Sequence, residues 1–485
     1  MNRILEQKTS TLLLGLLSVF LFFIFLFFFS FYYSLVPNYQ NFNIAILSSI
    51  IIYNTLYGII VFNDKNIAYI LFSPLFWYKF ISTLFYGIGP LAYYFGSSVT
   101  IEVMNLYFFI TDQTLTKIAL IYIAVICLTD FIFLILNHSF PIPKNLSHQT
   151  INKKLLLFYA LGVGLFSKYL VIFPSTYLGI NAPGIFHALT TFIYVGIFLL
   201  YNIGQQNNSY KMFFYLLVFF EMVSSFLVLS KEYLYMSIIF ASFVVFFHNK
   251  NIKSILITGA IAGILYVFVI QNLFILLRNA EEGSYGITST TELESAFDTA
   301  KTLRNSGQDA VSFQAWWDRL SYVKYQGYAV EAYDMKYEGN TFQQFKYIFI
   351  PRILYPEKPN LNPGGAYNSL VQNSFSEKNI NSTGPGLFVE AYWNGGWTYL
   401  TLTIIYFSFL LFFFSKIIIK NLKEKNYLIL MLAVNALYIG RSIDDWFVGR
   451  YGGFILNMII LYLFSVFIYK GLESILNTRN MELNE

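Results

Sequence analysis

Long apolar runs, broken once by an extended polar stretch, restrict this chain more than any other feature. A bilayer core about 30 Å thick takes roughly 20 apolar residues per helical crossing. Runs such as 11–36 and 252–277 exceed that length. Backbone groups in hydrocarbon must be satisfied internally, which leaves helices or closed barrels. A barrel alternates apolar and polar residues over short strands, whereas these runs are continuous. Only 12% of residues are charged, about half the proportion usual in soluble proteins. The expected fold class is an all-α polytopic membrane protein.

Reading the runs in order gives twelve expected spans: 11–36, 43–62, 67–92, 115–137, 154–174, 184–203, 210–229, 231–248, 252–277, 397–419, 427–445 and 451–471. The first is too long for a cleavable signal core and reads as a retained span. The 67–92 run contains Pro74, Gly87, Gly89 and Pro90 and is expected to kink or re-enter. Lys and Arg gather in every second connector: Arg3 and Lys8, then Lys65, Lys144 to Lys154, Lys211, Lys250 and Lys253, Lys416 to Lys425, and Lys470. That alternation is the positive-inside pattern. It predicts cytoplasmic N- and C-termini and one large structured outer loop. The resulting division is 1–277 with nine helices, 278–396 as the extracytoplasmic loop, and 397–485 with three helices and a tail. The net charge of +5 therefore reports topology, and nucleic-acid binding is not expected. A single cysteine, Cys127, excludes an intrachain disulfide, and four scattered histidines suggest no metal site.

Within the outer segment, Thr291 to Glu294 reads as a capping box opening a helix towards Arg304. Aromatics and charges at helical spacing over 313–337, Trp316 and Trp317 among them, predict an amphipathic helix. A short helix is expected over 341–349, stopped by Pro351. Two richer elements follow. In Ile350-Pro351-Arg352-Ile353-Leu354-Tyr355-Pro356-Glu357-Lys358-Pro359, prolines hold Arg352 and Lys358 on a stiff turn. In Gly384-Pro385-Gly386-Leu387-Phe388-Val389-Glu390-Ala391-Tyr392-Trp393-Asn394-Gly395-Gly396-Trp397, glycines permit close approach. There Glu390, Tyr392 and Asn394 offer an acceptor, a stacking face and an amide suited to sugar hydroxyls. The tryptophans read as interfacial anchors ahead of sugar platforms.

These two elements together resemble the bacterial oligosaccharide repeat-unit polymerases of the Wzy type, which build O-antigen and capsule. A late outer loop among about a dozen spans extends the resemblance. Of the R-x10-G pattern that some relatives repeat in two outer loops, the chain has one copy, Arg441 to Gly452. The resemblance implies a GT-C-like glycosyltransferase of the bacterial inner membrane with no metal or other cofactor. Its partners would be polyprenyl-diphosphate-linked oligosaccharides, membrane lipid and a chain-length regulator protein. The growing glycan would pass from its carrier to a hydroxyl of the next lipid-linked unit. A leaving diphosphate needs cations, and arginine binds phosphate bidentately. Arg352 is the first candidate, followed by Arg278, Arg319, Arg441, Arg450 and Lys358. Glu390 is the first candidate base, with Asp444 and Asp445 as rivals. The competing functions are O-antigen ligase, flippase or other transporter, and a transferase using a lipid-linked monosaccharide. Twelve-span permeases tend to carry two related halves, and no such repeat stands out.

Lys79, Asp130, Lys168 and Glu221 fall inside apolar runs, where an ionisable group must be paired or face water. Lys168 thus has two readings, contact with a lipid diphosphate or an ion pair with Glu221.

Overall fold

The computed structural model describes residues 2–33, 38–62, 67–96, 109–140, 151–178, 182–227, 231–250, 253, 257, 259, 261, 263, 317, 320–350, 355, 357–358, 363–372 and 383–482. Arg278, Arg319, Arg352, Trp316, the 291–304 helical pattern and most of the 252–277 run lie outside them. Among the described residues helices are the only regular secondary structure, with no strand. Its main helices are α1 (Asn2–Tyr33), α2 (Tyr39–Phe62), α3 (Pro74–Ser82), α4 (Gly89–Phe95), α5 (Asp112–Ser139), α6 (Lys153–Leu165), α7 (Gly184–Leu189), α8 (Phe192–Gly204), α9 (Asn208–Leu227) and α10 (Lys231–Asn249). Then come α11 (Val323–Asp334), α12 (Gly364–Gln372), α13 (Leu387–Lys423), α14 (Leu430–Arg441), α15 (Phe454–Tyr462) and α16 (Tyr469–Glu482).

Seven described helical segments are long and apolar enough to cross a membrane, and Tyr233–Asn249 and Tyr427–Arg441 are shorter apolar helices. Twelve spans were expected, and two of the differences have local causes. The 67–92 run is interrupted after Ile70, and the chain restarts at Ser73, whose hydroxyl accepts from Phe76 N at 3.4 Å. Pro74 then occupies the first helical turn, where its missing N–H costs nothing. A π-helical turn, Thr83–Ile88, separates α3 from α4. The expected 427–445 span ends four residues early, at Arg441.

The described chain forms two compact units, each assembled from three stretches. The first comprises Met1–Pro143, Gln314–Ile417 and Leu437–Leu456. Its helices α1, α2 and α5 pack together around an apolar core that includes Ile46, Leu47, Ile118 and Ile121. The helix ends that the charge alternation assigns to the outer side come together here. Asn43 donates to Tyr94 Oη at 2.7 Å and to the Asp112 carbonyl at 3.0 Å. Helix α11 of the long polar segment lies on the start of α5: Thr114 Oγ1 meets Glu331 at 2.5 Å, and Lys117 meets both Asp334 oxygens at 2.5 and 2.7 Å. Deeper along α5, Tyr122 donates to Gln326. The expected amphipathic helix thus exists over Val323–Asp334, docked on membrane helices. The short helix beyond it is a 3₁₀ turn, Thr341–Tyr347. In the middle of the apolar helices, Lys79 and Asp130 form a buried ion pair to which Tyr53 donates.

The second unit comprises Lys144–Phe313, Ile418–Ala436 and Asn457–Glu485. Helices α6 and α9 each pack on α8. A Cβ on Gly164 would stand 2.6 Å from Ile193 N, so that crossing needs glycine. Here the ends assigned to the inner side meet: Lys153 Nζ donates to Asn202 at 3.0 Å, and Tyr469 Oη to the Asn152 carbonyl at 3.3 Å.

Candidate functional site

The polar residues that ended α14 early lie in the first unit, beside residues of the long polar segment. Residues 442–446 form a non-helical connector between α14 and a π-helical turn, Phe447–Gly452. The Gly384-Pro385-Gly386 stretch closes onto this connector. Leu387 N donates to the Ile443 carbonyl at 3.0 Å. Gly386 has φ +79°, a left-handed conformation open to glycine, and a Cβ there would lie 3.1 Å from Ile443 O. A Cβ on Gly384 would be 2.7 Å from the Trp446 indole. These glycines were expected to admit a ligand. They admit this chain's own connector.

From Leu387 onward the element is helical, which sets the direction of the side chains expected to bind sugar. Glu390 and Asn394 stand four apart on one helical face. Glu390 is 0% exposed. Its Oε1 accepts from Thr341 Oγ1 at 2.6 Å and its Oε2 from Phe447 N at 2.5 Å. Asn394 donates to Thr341 Oγ1 at 2.8 Å and to the Glu390 carbonyl at 2.9 Å, and accepts from Phe342 N at 3.1 Å. Tyr392 is buried between Tyr333 and Trp397, with centroid distances of 5.0 and 5.7 Å, and its hydroxyl reaches Asp334 at 3.3 Å. The three side chains tie α13 to the 3₁₀ turn, the π turn and α11. None presents a face for a sugar to stack on or a free carboxylate for a hydroxyl. Helix α13 continues to Lys423, but its backbone breaks at Gly395 and Gly396, the latter with φ +59° against the Tyr333 ring.

Charged side chains gather on the connector and on the two elements that flank it. Arg441 and Arg450 both lie over the ring of Tyr438, at 4.4 and 5.3 Å from its centroid. Such contacts are worth roughly 0.5–1 kcal/mol each where water reaches them. Arg450 Nε pairs with Asp445 Oδ2 at 2.9 Å. The adjacent Asp444 is bound differently, its Oδ2 accepting from Tyr322 Oη at 2.9 Å. Tyr322 comes from the start of α11 and packs edge-on against Phe85 at 5.2 Å. Burial, with the charge of Asp445 second, pushes the Asp444 carboxyl up to about 6; the Tyr322 hydrogen bond and Arg441 act the other way. The two neighbouring carboxylates therefore differ. Asp445 orients a guanidinium, while Asp444 is poised to exchange a proton near neutral pH.

The structure thus brings Arg441, Arg450 and Asp444 together and turns Glu390, Tyr392 and Asn394 inward. Lys358 Nζ donates to the Ile350 carbonyl at 2.9 Å, a local loop contact. Lys168 pairs with Glu221, both almost fully buried, and Tyr169 donates to Glu221 at 2.7 Å. Of its two readings, the ion pair is the one found. Tyr322 and Tyr438 were not anticipated as site residues. Tyr438 had a signal, standing three residues before Arg441 on one helix face; the Tyr322 contact spans 122 residues and left none. Among the described residues, no group of three or more His, Cys, Asp or Glu is arranged to hold a metal ion.

The apolar helices define the class, a polytopic α-helical membrane protein. Comparison with protein-family models, curated proteins and solved structures gave no match.

Proposed function

We propose that this protein is a membrane glycosyltransferase that polymerises lipid-linked oligosaccharides. The observation that carries the reading is the pair of guanidiniums over Tyr438, beside a carboxyl held by Tyr322, where the outer segment docks on apolar helices. The resemblance of the Arg352 and Gly384–Trp397 elements to repeat-unit polymerases supplies the reaction class. The acceptor hydroxyl attacks the donor's anomeric carbon and gives its proton to Asp444. The bond from that carbon to the carrier oxygen breaks, and Arg441 and Arg450 neutralise the departing diphosphate. The glycosyl diphosphate linkage of the donor drives transfer, so no nucleotide is required. In this reading Asp444 replaces Glu390 as first candidate base, and Arg352, Arg278 and Arg319 supply further cations. The charge alternation supports twelve spans, cytoplasmic termini and an outer site in the bacterial inner membrane. A chain-length regulator would act as partner.

The test gives purified protein lipid-linked repeat units in detergent, with no sealed membrane. A ladder of multimers identifies a polymerase, and its loss in Arg441→Gln and Asp444→Asn ties it to the cluster. Unchanged units would point to a flippase and refute the proposal. Transfer only to added lipid A core would make the protein a ligase.

A further inference from the structure

Two guanidiniums of like charge sit on one aromatic ring in the first unit, an arrangement that needs a cause. The Cζ atoms of Arg441 and Arg450 lie 4.4 and 5.3 Å from the Tyr438 centroid. They are therefore at most about 10 Å apart, a separation over which salt only partly screens their repulsion. Asp445 offsets part of it by pairing with Arg450 Nε at 2.9 Å. The electron-rich face of Tyr438 attracts both cations.

The two arginines reach the ring from different elements. Arg441 stands three residues beyond Tyr438, on the same face of α14. Arg450 belongs to the π-helical turn on the far side of the connector 442–446. A parallel contact one residue further along holds these elements in register. Tyr451, next to Arg450, donates its hydroxyl to the carbonyl of Ile439, next to Tyr438, at 2.9 Å. Both residues are buried, so water does not compete for that bond. Helix α14 is seated in turn by Gly440, where a Cβ would stand 1.9 Å from Pro74 O. The Tyr438 ring is half-buried and Arg450 is exposed. Packing thus fixes the ring, and the ring gathers side chains that water reaches. A guanidinium on a ring face keeps its planar N–H fork for oxygen acceptors. One fork suits one phosphoryl group, and two held together suit two phosphoryl groups joined by a bridging oxygen.

We propose that Tyr438 is a positioning residue that makes Arg441 and Arg450 into one diphosphate site, and so sets a preference for diphosphate over monophosphate. The assignment rests on the reading of this cluster as the place where the carrier's diphosphate departs.

The test is isothermal titration calorimetry of the purified full-length protein in detergent, with inorganic diphosphate or inorganic phosphate as the probe. Wild type is expected to bind diphosphate at least about tenfold tighter than phosphate, through the second set of charge-assisted hydrogen bonds. Tyr438→Leu, which removes both ring contacts, should weaken diphosphate at least about fivefold and phosphate less than about twofold. Tyr438→Phe keeps the ring and should retain the preference for diphosphate. Tyr438→Met, of similar length and without a ring, repeats the measurement if the leucine variant folds poorly. Equal affinity of wild type for the two anions, wild-type diphosphate binding in the leucine or methionine variant, or a phenylalanine variant that behaves like leucine would overturn the proposal. The probe is a free anion, so the result does not depend on polymer formation. A protein that builds no ladder yet shows the expected pattern keeps Tyr438 in this role and refutes only the polymerase reading.

Discussion

Replacing Glu390 by alanine tests whether this carboxylate holds the structure or performs chemistry. The substitution removes the acceptors of Thr341 Oγ1 and Phe447 N in a place water does not reach. Two hydrogen bonds to a carboxylate, with two donors left unsatisfied, amount to about 2–5 kcal/mol. Glu390→Gln should lose about half as much. Its amide oxygen can still accept from Phe447 N, but its NH₂ must then face Thr341 Oγ1, which already receives Asn394. The assay is SDS-driven unfolding in mixed micelles followed by tryptophan fluorescence, since Trp393, Trp397 and Trp446 lie in or beside this network. Expected is an earlier transition ordered wild type, glutamine, alanine. A Glu390→Ala protein that unfolds with the wild type, yet forms no polymer, would refute the structural role and restore Glu390 as a base.

Four further outcomes follow. Activity should fall as pH drops through about 6, where Asp444 becomes protonated. Tyr322→Phe should move that limb upward, because the phenol hydrogen bond favours the charged carboxyl; an unmoved limb would separate Asp444 from the reaction. The same raised value means that the folded chain holds this proton more tightly than the unfolded one. The Asp444 contribution to stability is therefore full below its ordinary 3.8 and lost as pH rises through 6, which denaturant midpoints at pH 4 and 7 would show in the Asp444→Asn comparison. Gly440→Ala places a Cβ 1.9 Å from Pro74 O and 2.7 Å from Tyr78 N, both backbone atoms. It should cost about 3 kcal/mol or more, seen as loss of monodisperse protein. Lys168→Met alone should cost about 3–5 kcal/mol by leaving Glu221 buried and unpaired, while Lys168→Met with Glu221→Met should recover most of it; equal stability of the single variant would deny the pair.

Unbroken apolar length made the membrane helices legible, because a run of about 20 apolar residues has few other places to go. Helical spacing of aromatics likewise located Val323–Asp334. The Gly384–Trp397 element was read by composition as a ligand-binding loop, and there composition misleads. Glycines permit close approach without naming what approaches, and here it is Ile443 and Trp446. Once Leu387 starts a helix, Glu390 and Asn394 share a face and turn inward together. Asp444 and Asp445 look equivalent in sequence; only their partners, Tyr322 and Arg450, separate them. Those partners depend on long-range packing that no local pattern encodes.

The three-part make-up of the first unit bears on how the protein is born. Its opening 143 residues leave the ribosome well before Leu437–Leu456, the stretch bearing both arginines. At about 5–20 residues per second, the interval of roughly 300 residues lasts some 15–60 s. Tyr322, made 122 residues before Asp444, waits through the last part of that interval, and Glu390, already beside Thr341, lacks Phe447 until its end. Insertion of the final helices is thus the event that completes the charged cluster, and a chain stopped short of them would keep its greasy scaffold without the two guanidiniums gathered on Tyr438.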